Sequence, residues 1–400
     1  MGTPLSSHPT KVLILGSGEL GKELALEAHK LGVEVVAVDR YDNAPAMHLA
    51  HRKYVVEMLN GNAIKEIIRR ENPEAIIPEV ESIDVEVLRE LESEGFLIIP
   101  NAEAVRICMN RIRLRELIAK TLGLPTTKYF IAEDYVDVIN ACDKVGYPCI
   151  LKPEMSSSGH GHVVIEKPLS DEGFRRAYEY ALTSSRGLSS KVIVEEYVEL
   201  ESEFTILTYR YLNHNDEIVT NVLQPIEHWR YGRFHYIESW QPSSRSSEVL
   251  SICKDYSVRI VEYLGGLGVY GVELFLTKDG RILVSEVAPR PHDTGFVTLV
   301  TQDLSEFTIH LRASLRLPIP DVNLISSGAS YALYTDLDNI WGPKYYGLSE
   351  VFRISGVDVR IFGKPFTYPG RRMMVLLARG SDVSEARAKL REAIGKIRIL

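Results

Sequence analysis

Lys152 stands in an otherwise apolar run, Cys149-Ile150-Leu151-Lys152-Pro153. Burying an unpaired ammonium is costly, so this lysine calls for an anionic partner. Ser156, Ser157, Ser158, Gly159, His160 and Gly161 follow almost at once. The backbone N–H groups of so small and polar a loop can fold over phosphates, although the GxxxxGK[ST] pattern of a P-loop is absent. Downstream, Glu195 and Glu196 close a second apolar run and Glu203 follows them. Such a segment can offer backbone to a purine edge and a carboxylate to ribose hydroxyls, or can form a solvated acidic turn.

Glu273 and Glu286 flank an Asp279-Gly280 hairpin signal. With those two residues as the loop, Glu273 falls directly opposite Glu286 and Phe275 faces Val284. Opposed carboxylates repel, and a bridging cation removes the repulsion; hard oxygen ligands beside a phosphate site point to Mg²⁺. The chain then stiffens around Arg290, between Pro289 and Pro291, and reaches His292 and Asp293. Arg290 suits an anion, Asp293 a substrate amine, and His292 a structural hydrogen bond. Lys364, Arg371 and Arg372 gather cations near the C-terminus, where adjacent arginines suit a phosphate. Near the N-terminus, Gly16-Ser17-Gly18-Glu19-Leu20-Gly21 is a GxGxxG turn, with Asp39 ending the next apolar run. The turn suits an anion at a helix N-terminus or close strand–helix packing. Glu19 is an awkward neighbour for a pyrophosphate and suits a ligand amine or hydroxyl.

These residues need elements to hold them. From Lys11 the pattern predicts βαβαβ: KVLILG, a helix, VEVVAVD, a helix near Ile64 to Glu71, and AIIPEV, and so a parallel sheet. A helix near Asp84 to Gly95, a strand FLIIP and one long helix from Ala102 to Leu122 follow. Beyond lie strands with fewer helices, an α+β pattern. A helix near Ser305 to Leu315 precedes a strand-rich tail that ends in a helix near Val383 to Ile394. The stretch from His228 to Trp240, mixing Trp229, Tyr231, Phe234, His235 and Tyr236, reads as a lid or interface hairpin.

The chain has 400 residues, which at about 150 per domain allows two or three domains. A net charge of −8 argues against a nucleic-acid coat or a polybasic membrane patch and leaves room for local anion pockets. Cys108, Cys142, Cys149 and Cys253 show no disulfide or zinc spacing and read as reduced, buried thiols. With neither a basic n-region nor a long apolar run, the expected location is cytoplasmic.

A strand lysine with a glycine loop, then a hinge acid, a ribose acid and paired metal acids, in that order, resembles the ATP-grasp superfamily. The blocks LGSGELGKE, VDRYDNAPAMH, GYPCILKPEMSSSG, ESWQP, GVELF, SEVAPRPHDTG and TQDLSEF resemble its formate-dependent phosphoribosylglycinamide formyltransferases, from Lys11 to about Arg372. The resemblance implies three domains: an N-terminal Rossmann-like parallel-sheet domain (1–109), an ATP-grasp domain (110–325) and a small β-rich domain (326–400). It implies that Glu19, Leu20, Glu79, Asp293, Lys364, Arg371 and Arg372 hold glycinamide ribonucleotide. Arg111, Lys152, Ser157, Ser158, Gly159, His160, Gly161, His162, Glu195, Glu196, Tyr197, Val198 and Glu203 match the ATP set, and Glu273 and Glu286 match the Mg²⁺ ligands. Lys152, Arg290 and Asp293 are then the expected catalytic groups, in a homodimer that formylates an amine through formyl phosphate. The alternative is an ATP-grasp carboxylase using bicarbonate on aminoimidazole ribonucleotide. One departure stands out: His160 and His162 occupy positions where the family usually has lysine and glutamine.

Overall fold

The computed structural model describes the chain apart from residues 81, 157–158, 186–189 and 232–234, and apart from the side chains of 231 and 235–237. Ser157 and Ser158 of the expected phosphate loop lie outside the described residues, as does Phe234.

Val12, Leu13, Ile14 and Leu15 are all fully buried, because a parallel strand is covered on both faces and needs an unbroken apolar run. Lys11–Leu15 is an inner strand of a four-stranded parallel sheet in the order Arg52–Val55, Glu34–Asp39, Lys11–Leu15, Ala75–Pro78. Helices Glu19–Lys30, Gly61–Glu71 and Val85–Ser93 supply the crossovers, the last two capped by the side chains of Asn60 and Asp84. The FLIIP segment contributes one bridge, Ile76 to Ile98, where a full strand was expected.

The long helix expected from Ala102 to Leu122 is broken. Ala102–Cys108 ends at Met109, Arg111–Glu116 restarts, and a π-type turn covers Leu117–Thr121. Asn110 causes the restart: its side-chain oxygen accepts from the Arg113 amide, and a short polar side chain competes with helix continuation in this way. The break turns Arg111 toward the next layer, where its amide donates to the Glu154 carbonyl at 2.9 Å.

That layer is a four-stranded antiparallel sheet, Tyr129–Ala132, Val192–Glu196, Cys149–Pro153, Val163–Ile165, with its own core against helices Tyr135–Val145 and Asp171–Thr183. The third sheet is the largest. It runs Ile282–Ala288, Gly268–Thr277, Leu200–Leu212, Ile226–Tyr231, His235–Gln241, Ser327–Thr335, Arg371–Gly380, Val357–Ile361, with Ile218–Val222 also paired to Leu200–Leu212. Strands on both sides of residue 325 therefore share one sheet, joined where Glu238 to Gln241 pair with Gly328 to Tyr331. This corrects the lid reading of His228 to Trp240, whose two strands lie in the middle of the sheet, each with an outer neighbour. The last helix is Val383–Ile394, as its periodicity predicts.

The Glu273 hairpin matches its expected register by cancellation. Its loop is three residues, Lys278 to Gly280, with Gly280 at φ +84° and the Thr277 amide bonded to the Arg281 carbonyl, where a two-residue turn was expected. Leu274 then pairs with Val284 and Phe275 with Leu283, so Phe275 does not face Val284. A bulge at Ser285 restores the phase, and Glu273 does pair with Glu286.

All four cysteines are buried and free. Among the described residues, no helix is long and apolar enough to cross a membrane.

Candidate functional site

Phe296, Phe307, Leu311, Phe362, Val375 and Leu377 share one apolar core with Leu20, Leu24 and Ala28 of the Glu19–Lys30 helix. This packing brings the start of that helix against the C-terminal strands. Glu19, in its first turn, meets Lys364 Nζ at 2.9 Å and Arg372 Nη2 at 2.8 Å, and Arg372 Nη1 reaches Asp293 at 2.5 Å. Burial raises the Glu19 pKa, but Lys364 and Arg372 outweigh it and bring the carboxyl down to about 2. Asp293 is likewise held below the usual carboxylate range, burial being outweighed by Arg372 and His292. Leu20 places its side chain in the core.

Asp39 accepts from the Ser17 amide at 2.7 Å and the Arg40 amide at 2.7 Å, fixing the glycine turn from behind. Gly16 sits at φ +97°, against Val80 and Glu79. Glu79 faces the turn, its carboxylate hydrogen-bonded by the Gly18 amide. Burial pushes its pKa up to about 8, with Arg290 opposing and the charges of Glu19 and Asp39 adding to the rise. A carboxyl whose pKa is higher folded than unfolded contributes stability that is full below about pH 4.3 and is lost as pH rises through the folded value. Glu79→Gln should therefore gain stability relative to the parent between pH 5 and 9. Denaturant midpoints measured across that range check the sign, and a pH-independent difference between the two proteins overturns it.

Arg371 and Arg372 do not act as one pair, because neighbours on a strand point to opposite faces. The Arg371 guanidinium lies over Phe366, Tyr368 and Tyr41 at 4.3, 4.9 and 5.6 Å from the ring centres, and donates to the Phe366 carbonyl and the Tyr41 hydroxyl.

The second cluster centres on Lys152, whose required anion is Glu195: Nζ to Oε2 is 2.5 Å. The other carboxylate oxygen takes Arg115 Nε at 2.7 Å and Nη2 at 2.6 Å. Glu195 is thus an internal counter-ion, held well below the usual carboxylate range by Arg115 and Lys152 against the opposing effect of burial. Arg115 also donates to the Ser285 carbonyl at 2.8 Å, on the hairpin bulge. Sequence reasoning missed Arg115, although it lies four residues after Arg111 and so on the same helical face. Arg111 itself donates to the Pro153 carbonyl at 2.8 Å and the Ser156 carbonyl at 3.2 Å, so it braces the start of the glycine loop. Gly159 and Gly161 take φ +74° and +75° there. His160 is exposed. His162 is inside, its pKa brought down to about 2 by burial and then by Arg111 and Lys152, so its ring is neutral. Glu196 accepts from the Lys128 amide at 2.8 Å and pairs with Arg281. The Tyr197 amide donates to the Pro148 carbonyl at 3.3 Å, and Val198 follows at the strand end. A small cavity of about 30 Å³ lies between Arg111, Ser156, Ser285 and Glu286.

Glu273 is buried and Glu286 exposed at their paired positions. Arg230, also missed from sequence, spans Glu273, with His292 Nε2 3.0 Å from Glu273 Oε1. Burial pushes Glu203 up to about 7, Arg230 opposing and the Glu273 charge adding. Among the described residues, no group of three or more His, Cys, Asp or Glu side chains is arranged to hold a metal. Glu273 and Glu286 offer the hard carboxylate oxygens that suit Mg²⁺, which takes few protein ligands, although both Glu273 oxygens are engaged by Arg230. His292 Nδ1 lies 3.2 Å from Asp293, so the Glu19 cluster is linked to the hairpin acid Glu273 through Asp293 and His292. Glu306, a further residue missed, is fully buried and accepts from the His292 amide at 2.8 Å, bracing that link.

Family models for a ribonucleotide synthetase preATP-grasp domain, an ATP-grasp domain and a "PurT, C-terminal" domain match residues 10–109, 117–307 and 328–397. A formate-dependent phosphoribosylglycinamide formyltransferase from Saccharolobus solfataricus is 53% identical over 98% of both chains. One of the same name from Ignicoccus hospitalis is 50% identical over 100% of this chain and 98% of its own. Among solved structures, glycinamide-RNase-transformylase T from Mycobacterium tuberculosis superposes with a TM-score of 0.79 at 30% identity, over 97% of this chain and 100% of its own. N5-carboxyaminoimidazole ribonucleotide synthetase from Thermotoga maritima gives 0.82 at 26%, over 98% and 99%.

Proposed function

The chain belongs to the formate-dependent phosphoribosylglycinamide formyltransferase family of ATP-grasp enzymes, and from that premise we propose how its two linked clusters divide the reaction. The enzyme uses ATP and formate to formylate the amine of glycinamide ribonucleotide, a step of purine biosynthesis. The observation that carries this reading is the chain of side-chain contacts from Glu19 through Arg372, Asp293 and His292 to Glu273, which we read as setting an amine-binding acid pair beside a phosphate-and-metal region.

A formate oxygen attacks the γ-phosphorus, the bond to the β-phosphate oxygen breaks, and ADP leaves. The substrate amine then attacks the formyl carbon, the carbon–oxygen bond to phosphate breaks, and the amine gives up a proton. Glu19 and Asp293 hold that amine, with Glu79 beside them, and Lys364 and the separately oriented Arg371 and Arg372 hold the ribonucleotide's anionic end. Lys152 neutralises charge on the phosphoryl group in transit, while the loop through Gly159 and Gly161 covers the phosphates. The segment Glu195 to Val198 offers backbone to the adenine, and Glu203 takes the ribose. Glu273 and Glu286 would hold Mg²⁺, which when bound would supply charge neutralisation to the phosphates. No side-chain nucleophile is needed; catalysis rests on positioning and exclusion of water. Residues 1–109, 110–325 and 326–400 are the working domains, and the family resemblance carries over a cytoplasmic homodimer.

Coupled ADP release with glycinamide ribonucleotide, offering formate or bicarbonate, tests the reaction: turnover with formate alone is expected, and turnover that requires bicarbonate overturns it. Arg290, close enough to Glu79 and Glu306 to bias both, neutralises the formyl phosphate. Arg290→Ala should lower kcat by about 100-fold, and a change within a few-fold removes it from that role.

A further inference from the structure

Arg230 holds two acids at once. On strand Ile226–Tyr231, its Nη2 lies 2.7 Å from both Glu273 oxygens and its Nε 3.3 Å from Glu203 Oε2. The side chain is 22% exposed, so the guanidinium sits largely inside the fold. Glu203 and Glu273 come from neighbouring strands, with Phe275 opposite Glu203 and Thr205 opposite Glu273, so one guanidinium spans the gap between them. By the reading above, these are the ribose acid and one of the metal acids. A guanidinium bound to both oxygens of Glu273 uses the lone pairs a divalent cation needs.

We infer that Arg230 is a resident substitute for the divalent cation: it neutralises Glu273 and Glu203 in the unliganded chain and must release Glu273 when metal arrives with nucleotide. Metal alone has to displace a partly buried ion pair and leave Arg230 with its 3.3 Å contact to Glu203 alone, which opposes binding. Metal with nucleotide brings phosphates that give the released guanidinium a new anionic partner. Arg230 therefore suppresses nucleotide-free metal binding and ties loading of the metal to loading of ATP. This inference rests on the assignment of Glu273 as a metal ligand.

The test uses the full-length chain with Mn²⁺ as probe, bound ion being measured by electron paramagnetic resonance without nucleotide, and melting followed with and without Mn²⁺. Arg230→Met should bind Mn²⁺ about tenfold tighter than the parent. It should melt lower in EDTA and recover on adding Mn²⁺. Unchanged or weaker Mn²⁺ binding overturns the inference. If Arg230→Met does not fold, Arg230→Lys, which keeps charge but loses the two-point grip, should show a smaller gain in the same direction; no gain overturns it equally. Glu273→Gln in the presence of ATP separates the two levels. If it leaves Mn²⁺ affinity unchanged, the metal assignment fails and this inference with it. If it weakens Mn²⁺ binding while the arginine variants do not tighten it, only the role of Arg230 fails.

Discussion

Arg115→Met should destabilise the fold by about 3 kcal/mol, the lower end of the cost of breaking a buried ion pair from one side. Arg115 and Glu195 have side-chain exposures of 2% and 1%. Removing the guanidinium leaves Glu195 with Lys152 alone and leaves the Ser285 carbonyl without its 2.8 Å donor. Because that carbonyl belongs to the hairpin bulge, the damage spreads from the small sheet to the strand bearing Glu286. Urea midpoints at constant slope measure the loss, and a loss below about 1 kcal/mol would contradict the account. Adding Glu195→Gln to Arg115→Met should recover part of it, since a neutral amide is cheaper to bury than a carboxylate short of one partner.

Lys152→Met touches the same carboxylate and should behave in the opposite way. Arg115 still neutralises Glu195 through Oε1, while Oε2 loses its Lys152 partner, so the fold should lose less than in Arg115→Met. By the role proposed for Lys152, the phosphoryl group in transit loses a neutralising cation, and kcat should fall by about 10²- to 10³-fold. Nucleotide affinity should fall less, because the backbone of the glycine loop remains. A variant with near-normal kcat and a large loss of stability would make Lys152 a purely internal counter-ion of Glu195. Together the two substitutions tell which partner of Glu195 serves the fold and which serves the chemistry.

Much of this arrangement could be read from the chain because it depends on local signals. The Val383–Ile394 helix follows its periodicity and its Asp382 cap. The inner parallel strands announce themselves as unbroken apolar runs, and the buried lysine demanded an acid before one could be named. What escaped depends on contacts distant in sequence. Arg52–Val55 is an edge strand rich in charge and reads as loop. Asn110 stops a helix that its apolar neighbours would continue. The place of Ile226–Tyr231 and His235–Gln241 in mid-sheet is decided by pairing to Leu200–Leu212 and Ser327–Thr335, which no local pattern encodes. Arg115 meets a carboxylate 80 positions away, and Arg230 one 43 away. Ion-pair partners over such spans are set by the assembled sheets, so the chemistry of each side chain was legible while its partner was not.

The hairpin carrying Glu273 and Glu286 has a consequence for how such chains can drift. Its third loop residue and the extra residue at Ser285 both lie outside the paired positions. Loss of either one leaves Leu274 opposite Val284 and Glu273 opposite Glu286, so no glutamate changes face. Deletions at Lys278 to Gly280 and at Ser285 are therefore independent of each other, and a lineage can shorten the hairpin at either place and keep its paired acids.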